Sequence, residues 1–444
     1  MSRGRTFFAI AMVAAALLAA LPASGGDVSR HRLSNGVTVL TMPGEWNRIV
    51  AISVMVDAGS KHDPQKLQGL ASLTNSMIMQ GTTTRTAPEL AELTDSAGLQ
   101  VGHETTRDHA LIYATAIDSQ FDVALEVLAD MLQRPAFDQK RLLEEQRVAL
   151  ESIETRKEDP FTLPMERAAE LLYGDHPFVH DPRGTAKGVE RITAEHLVKF
   201  HSSSYVGANT VISIVGNFEE KRAVKRLGEL LVDYPKGQPA PPDVPPVPKG
   251  GDLSAKVFKD VSESYVAIGY MAPSAHDDDF AAISVLDAVL GLGSGSRLAT
   301  ALGEDGADIS SSNGSYCRCG ESASALFVYA AAKDGDEAID VIGAEIERLS
   351  TEPVTDTELR TAKNKLVGRH VINGQTNLVR AARLTSYELA GLGFDFADSF
   401  PKAVNRVDKD DILRVASEWL RSPATVVVQP GKSAPARGTK RAGI

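Results

Sequence analysis

The ten histidines are the side chains of this 444-residue sequence best suited to hold a catalytic metal. Two neutral imidazoles at positions i and i+4 face one side of a helix and can bind zinc together. His103 and His109 lie six residues apart, which does not give that geometry. His176 and His180 lie four apart, but Pro177 forbids an ordinary helix, so we expect a loop with solvent-facing imidazoles. The spacing therefore predicts no histidine metal site.

Other catalytic motifs are also missing from the sequence. It has no Gly-x-Ser-x-Gly nucleophile elbow and no phosphate-binding P-loop. The glycine-rich run at residues 291–297 follows a helical pattern rather than a strand, which argues against a dinucleotide fingerprint. We interpret it as a flexible loop that opens a helix at Ser296. Cys317 and Cys319 are separated by one residue in a strand pattern, and we interpret both as partly buried strand residues.

The composition is that of a globular chain, and the first residues resemble an export signal. Hydrophobic residues make up 43%, so disorder is not expected, and a net charge of −11 offers no footprint for nucleic acid. Arg3 and Arg5 precede an apolar run over residues 7–21, which is shorter than the roughly 20 residues that span a membrane. We predict a cleaved signal peptide at residues 1–25, with export to a bacterial periplasm and no membrane span afterwards.

A proline-rich segment divides the chain into two nearly equal halves. Residues 235–251 contain many prolines with glycines near both ends, a composition that favours a stiff, extended linker. Residues 431–444 are small, basic and rich in glycine and proline, which is typical of a flexible tail. We therefore predict an N-terminal domain over residues 30–234 and a C-terminal domain over residues 252–430.

The two halves carry the same order of secondary-structure elements. The strand and helix at residues 110–128 recur at residues 325–342, an offset of about 215 residues. Each copy is followed by another helix, at residues 138–157 and 356–370. The pattern predicts an α+β fold of two homologous domains, each a mostly antiparallel β-sheet with helices packed on one face. A period this long indicates domain duplication rather than a solenoid.

One segment, residues 69–83, carries a family resemblance. Its sequence is Gly-Leu-Ala-Ser-Leu-Thr-Asn-Ser-Met-Ile-Met-Gln-Gly-Thr-Thr. It resembles the metal-binding helix of the insulinase/pitrilysin family of zinc metallopeptidases, in which Gly-Leu-Ala precedes His-x-x-Glu-His and Gly-Thr follows. Here Ser72 and Ser76 stand where the histidines belong, and Asn75 stands where the general base belongs. Further similar stretches follow in the family's order, so the resemblance covers nearly the whole mature chain.

The position of the third zinc ligand is changed as well. The family supplies it from a later helix of the form Glu-Arg-x-Val-x-x-x-Glu. The matching stretch at residues 145–152 places Ser152 at the ligand position and Glu151 beside it. One residue on a helix turns a side chain by about 100°, so we expect Glu151 to point away. Hydroxyls bind zinc poorly and an amide cannot accept a proton, so the resemblance implies a degenerate site without zinc or catalytic residues.

The residues with which the family grips its substrate are also replaced. Members often use an Arg and a Tyr of the second domain, within Leu-Arg-Glu-x-x-Gly-Leu-Ala-Tyr. Residues 302–309 occupy that place, with Gly303 for the Arg and Ile309 for the Tyr. Arg297 is retained nearby but resembles a residue that begins a helix. The resemblance therefore implies that substrate holding is degenerate at these two positions.

Three functions are compatible with a degenerate member of this family. Its two-domain chains often form the halves of clam-like dimers around a closed chamber, and one subunit can lack zinc, as in the mitochondrial processing peptidase. The resemblance implies a non-catalytic subunit that pairs with a homologous zinc-bearing peptidase, or with itself, to degrade or process peptides. Two alternatives stay open: a scaffold or peptide-binding protein without a peptidase partner, and a metallopeptidase with an unrecognised site.

Overall fold

A computed structural model describes residues 27–239, 253–303, 309–318 and 324–431. The predicted signal peptide, most of the predicted linker and nearly all of the predicted tail lie outside these residues. Within the ranges described, no helix has both the length and the apolar character needed to cross a membrane.

The first half of the chain forms a six-stranded sheet, which we call sheet 1. Its strands are β1 (Ser29–Arg32), β2 (Thr38–Pro43), β3 (Ile49–Val56), β4 (Gln100–Thr105), β5 (Ala110–Ile117) and β6 (Thr210–Gly216). They are ordered β1-β2-β6-β3-β5-β4. Only the β2–β6 pair is parallel, and Ile52 in the middle of β3 lies opposite Ala114 on one side and Ile214 on the other.

The second half forms a five-stranded sheet of similar design, which we call sheet 2. Its strands are β7 (Leu253–Lys259), β8 (Ser264–Ala272), β9 (Ser310–Arg318), β10 (Ser324–Ala332) and β11 (Ala424–Pro430). They are ordered β7-β11-β8-β10-β9, with a parallel β7–β11 pair at one side and antiparallel pairs elsewhere. The two sheets therefore repeat one mostly antiparallel arrangement, which confirms the predicted duplication.

Helices follow the strands in both halves. The first half contains α1 (Leu70–Ile78), α2 (Ala87–Ser96), α3 (Phe121–Gln133), α4 (Gln139–Arg156), α5 (Thr162–Tyr173), α6 (Ala186–Arg191), α7 (Ala194–Ser204) and α8 (Glu220–Leu230). The second contains α9 (Phe280–Gly291), α10 (Arg297–Leu302), α11 (Gly335–Thr351), α12 (Asp356–Asn373), α13 (Asn377–Leu389), α14 (Phe396–Arg406) and α15 (Lys409–Trp419). The α+β class predicted from the sequence is confirmed.

Each sheet is buried on both faces, which is why its central strands lack polar–apolar alternation. In β3, Ile52 packs with Met77 of α1 and Leu125 of α3, so this face meets the helices of its own half. The neighbouring residue Ala51 points to the opposite face, where it packs with Leu384 of α13. One face of sheet 1 is thus covered by its own helices, as predicted, and the other by a helix of the second half.

Sheet 2 receives a helix in return from the first half. Helix α5 packs Ala168 and Leu172 against Ala267, Phe327 and Val426 of sheet 2. Because α5 and α13 each follow the long helix of their half, they occupy corresponding places in the duplication. The two halves therefore exchange one helix each, a reciprocal arrangement that binds them into one interlocked body.

One local prediction was wrong. His176 does not face solvent but is 2% exposed, and its Nδ1 accepts a hydrogen bond from the backbone N–H of Phe178 at 3.1 Å, capping a short 3-10 turn. His180 is partly buried, with its Nε2 2.6 Å from the amide nitrogen of Gln68. Cys317 lies partly buried on β9, as expected, and is disulfide-bonded.

Candidate functional site

Helix α1, which carries the three altered positions of the metal helix, is fixed in place at its first turn. Gly69 precedes it with a left-handed φ of 101°, where an added Cβ would lie 2.7 Å from the carbonyl oxygen of Arg183. Asp63 accepts hydrogen bonds from the backbone N–H groups of Gly69 and Ala71 at 2.7 and 2.8 Å. Burial raises the pKa of the Asp63 carboxyl to about 7, although these N–H groups act in the opposite direction.

Ser72, Asn75 and Ser76 lie at spacings of three and four residues along α1, so their side chains share one face. The helix packs against β4 and α4, which are the elements that would complete a site at this face. The structure therefore brings the three altered α1 positions together on one face of the helix. Asn75 is completely buried, whereas the two serines are partly buried.

The amide of Asn75 is used as a hydrogen-bond donor to the sheet. Its Nδ2 lies 2.8 Å from the carbonyl oxygen of Glu104, 3.1 Å from Oγ1 of Thr105 and 3.2 Å from the carbonyl oxygen of Leu111. The two carbonyl oxygens can only accept, so they identify the nearby amide atom as the nitrogen and not the oxygen. A carboxylate oxygen here would face two carbonyl oxygens and one hydroxyl, so the position suits a neutral amide better than a charged general base.

The hydroxyl of Ser76 is likewise used inside the protein. It donates a short hydrogen bond to Oε2 of Glu145 on α4. Glu145 also acts on His103 of β4: partial desolvation lowers the pKa of that imidazole, and the negative charge of Glu145 acts in the opposite direction. Sequence reasoning missed Glu145 and His103 as members of this site. Glu145 stood at the start of the stretch that carried the resemblance, but its pairing with α1 is a long-range contact.

Ser152 lies two turns beyond Glu145 on α4, on the same side of the helix, and is partly buried. Glu151, its neighbour, is exposed, as a rotation of about 100° predicts. A carboxylate therefore does not replace the missing ligand from the adjacent position.

These side chains do not fit a zinc ion. Zinc in proteins takes thiolate, neutral imidazole or carboxylate ligands, whereas α1 offers serine hydroxyls and an amide nitrogen that already donates. Glu145 and His103 beside it add one carboxylate and one imidazole, which is fewer than the three protein ligands of a catalytic zinc site. Among the residues the structure describes, no three His, Cys, Asp or Glu side chains are grouped so that they could hold a metal.

Strand β4 borders the site and is the outermost strand of sheet 1. It pairs with β5 alone within sheet 1, and its residues His103 and Glu104 are exposed. The outer side of such a strand presents backbone N–H and C=O groups that can pair with an extended peptide. The site thus combines a helix without ligands and a sheet edge that can still form backbone hydrogen bonds.

The second-half positions implied to be degenerate lie apart from α1. Gly303 ends α10, and a Cβ added there would lie 2.3 Å from the carbonyl oxygen of Ala299. Ile309 packs partly buried against the second core, and residues 304–308 between them lie outside the described ranges. Arg297 begins α10 and donates through Nε to Oε1 of Glu358 at 2.8 Å, so it acts as a structural ion-pair residue.

Models of one peptidase family match both halves of the chain. The family described as Insulinase (Peptidase family M16) matches residues 38–174, and the Peptidase M16 inactive domain matches residues 191–366. The chain belongs to the insulinase family. It is a degenerate member of that family, with the two-domain fold described above.

Relatives align along most of their length. An "Uncharacterized zinc protease" of Rickettsia felis is 25% identical over 415 residues, covering 89% of this chain and 96% of the relative. "Uncharacterized zinc protease YmxG" of Bacillus subtilis is 24% identical over 411 residues, covering 92% and 100%. The crystal structure of a peptidase M16 inactive domain from Pseudomonas fluorescens superposes with a TM-score of 0.84 at 20% identity, covering 93% and 100%, which shows the shared fold.

Proposed function

We propose that this insulinase-family chain is a non-catalytic subunit of a periplasmic peptidase that degrades or processes peptides. In this proposal it pairs with a homologous chain that retains the zinc motif, and its sheet edge contributes peptide contacts to a shared chamber. The zinc-bearing partner carries out hydrolysis, whereas this chain supplies a wall and part of the substrate-binding surface.

The observation that carries the proposal is the state of α1. The helix keeps its capped first turn and its packing on β4 and α4, so the frame of the family's site is maintained. Yet the amide nitrogen of Asn75 donates to the carbonyl oxygen of Glu104, and the hydroxyl of Ser76 donates to Glu145, so both groups are used within the protein. A helix that keeps its packing but has lost the ligand and general-base side chains supports a role in assembly and binding.

The outer edge of β4 supports the peptide-binding part of the proposal. An extended peptide added to this edge would become a seventh strand of sheet 1, held by backbone hydrogen bonds that do not depend on its sequence. Such contacts suit a subunit that handles varied peptides.

Co-expression with an insulinase-family homologue that retains His-x-x-Glu-His tests the pairing. We expect a stable one-to-one complex that contains one zinc per pair and cleaves peptides, while this chain alone contains no stoichiometric zinc. Zinc bound at one equivalent by the chain alone, or recovery of only separate monomers at micromolar concentration, would overturn the proposal.

The edge contact has a test of its own. The test uses one extended fluorescent peptide in two N-methylated versions. Alternate amides of an extended peptide point to opposite sides, so each version is methylated along one side and can donate hydrogen bonds to a strand only from the other. Docking on β4 predicts that one version binds at least about tenfold more weakly by fluorescence anisotropy. Equal binding of both versions would exclude the edge contact.

A further inference from the structure

A cavity of about 220 Å³ lies between the two halves of the chain, away from the face of α1. The turn between β4 and β5 contributes Asp108 and His109 to its wall. The remaining wall comes from the second half, chiefly from α9, α13 and α14. No residue of α1 or α4 borders this cavity.

Aromatic rings form most of the wall on the side of the second half. The ring centroid of Phe396 lies 5.0 Å from that of Tyr387, 5.8 Å from that of Phe400 and 6.2 Å from that of Phe280. Rings at these distances and inclined to one another present both faces and edges. Such a wall favours a flat aromatic occupant, which can pack edge-to-face or offset against it.

Two polar groups on this wall can meet an occupant of the cavity, namely the imidazole of His109 and the hydroxyl of Tyr387. His370, also on the wall, differs because its Nε2 is engaged with the carbonyl oxygen of Ala397 at 2.8 Å. Burial lowers the pKa of His109 to about 4, so near neutral pH its ring has one acceptor and one donor nitrogen. Burial raises the pKa of Tyr387, so its hydroxyl keeps its proton.

The size of the cavity limits what it can hold. A cavity of roughly 150 Å³ in another protein accommodates benzene, and pockets for drug-sized molecules begin near 300 Å³. A volume of about 220 Å³ therefore suits a molecule of one or two rings. Asp108 on the wall is paired with Nζ of the buried Lys61 at 3.8 Å, so the two charges offset each other and favour a neutral occupant over an ionised one.

We propose that this interdomain cavity binds a small, neutral aromatic molecule with a hydrogen-bond donor, of the phenol or indole class. The ring packs against Phe280 and Phe396, and the donor is taken up by His109 or Tyr387. Because His109 belongs to the turn that ends β4, the occupant joins the sheet edge of the first half to the aromatic wall of the second.

Calorimetric titration of the purified protein with phenol tests this inference. Toluene keeps the ring without the donor, and cyclohexanol keeps the donor without the aromatic ring. We expect saturable one-site binding of phenol and at least about threefold weaker binding of each analogue. No saturable binding of phenol, or toluene and cyclohexanol binding as well as phenol, would overturn it.

Two variants locate the site. Tyr387→Phe removes only the hydroxyl. It should weaken the binding of phenol roughly two- to tenfold and leave the affinity for toluene unchanged. Ala390→Leu fills the cavity and should abolish binding of both, provided that circular dichroism shows an intact fold. Tyr316→Phe, at an exposed tyrosine outside the cavity, is the matched control and should bind as the parent does. Unchanged phenol affinity in both cavity variants would place the ligand elsewhere and refute the proposal.

Discussion

Helices α13 and α5 occupy corresponding places on sheets 1 and 2, but they are held there by different forces. On sheet 1, the hydroxyls of Ser53 and Thr385 lie 2.8 Å apart and are fully buried, and Ser213 donates to the carbonyl oxygen of Ala381 at 2.8 Å. At the start of α13, Asn377 donates to the carbonyl oxygen of Ile49 at 2.7 Å. These contacts are directional, so they fix both the position and the rotation of the helix.

On sheet 2, α5 is held mainly by apolar packing. Leu172 and Tyr173 are almost completely buried against the sheet, and Phe161, just before the helix, places its ring 5.2 Å from those of Tyr265 and Tyr329. The contrast teaches that a duplicated fold can keep one docking geometry with two kinds of interface. Large truncations should therefore cost most at α5, while removal of single polar atoms should cost most at α13 and at α1.

Leu172→Ala should have the largest effect. The truncation leaves a cavity at the α5–sheet 2 interface, and we expect a loss of about 3.5 kcal/mol in the free energy of unfolding, measured by urea denaturation. Leu143→Ala on α4 is the matched control, because Leu143 is 59% exposed and its truncation should change stability by less than about 0.5 kcal/mol. Equal losses in the two variants would contradict the apolar character of the α5 interface.

Asn75→Asp tests the polar anchoring of α1. The change replaces the donor nitrogen by an oxygen that faces two carbonyl oxygens and one hydroxyl, and we expect a loss of about 2.5 kcal/mol near pH 7. The loss should shrink at low pH, where protonation restores one donor. Asn364→Asp, at an exposed position of α12, serves as the control and should be nearly neutral. A stable Asn75→Asp variant would show that the amide is not needed as a donor.

The pH dependence of stability should include a contribution from His201 in the first half. Burial lowers the pKa of His201 to about 4, although the carbonyl oxygen of Leu132 acts in the opposite direction. Since the unfolded chain binds the proton near pH 6.5, this stability is present above that pH and is lost as pH falls from about 6.5 to 4. The full shift would correspond to about 3 kcal/mol, and because the residue is only partly buried we expect a loss of roughly 2 kcal/mol. In His201→Gln the urea midpoint should fall less over this interval, and an unchanged fall would contradict the assignment.

Thr385→Val probes the polar docking of α13 with the smallest change. It removes one hydroxyl at nearly constant volume and leaves that of Ser53 buried, so we expect a loss of about 1.5 kcal/mol. The double variant with Ser53→Ala should lose less than the sum of the two single variants, because no buried hydroxyl is then left without its partner. Strict additivity in this double-mutant cycle would show that the pair does not hold α13 on sheet 1.

Local elements were predictable from the sequence, whereas the exchange of helices was not. The helix predicted to begin at Asp138 is α4, and the side chain of Asp138 accepts hydrogen bonds from the backbone N–H groups of Lys140 and Arg141. The pattern of α5 shows that one face is apolar, but it cannot show which sheet that face will cover. The burial of His176 escaped prediction for a similar reason, since the turn that follows it is held by a distant residue, Arg107, whose Nε donates to the carbonyl oxygen of Phe178 at 2.8 Å.

The altered α1 positions were found through the resemblance, and the structure explains what their side chains do instead. A serine in a helix pattern carries no information about its partner, so the hydrogen bond from Ser76 to Glu145 could not be foreseen. The spacing of His103 from His109 does not fit a metal site on a helix. The place of His103 beside Glu145 depends instead on the register of the sheet, which that spacing does not reveal.

Because α5 and α13 are exchanged between the halves, cleavage of the linker by a protease should leave the two halves bound to each other. A chain cut between residues 239 and 253 would consist of two fragments, each holding a helix inserted into the body of the other. Neither fragment expressed alone could cover its sheet, and each would expose an apolar helix to aggregation. Expressed together, the fragments should assemble as a split protein, because each exchanged helix covers the apolar sheet face of the other fragment.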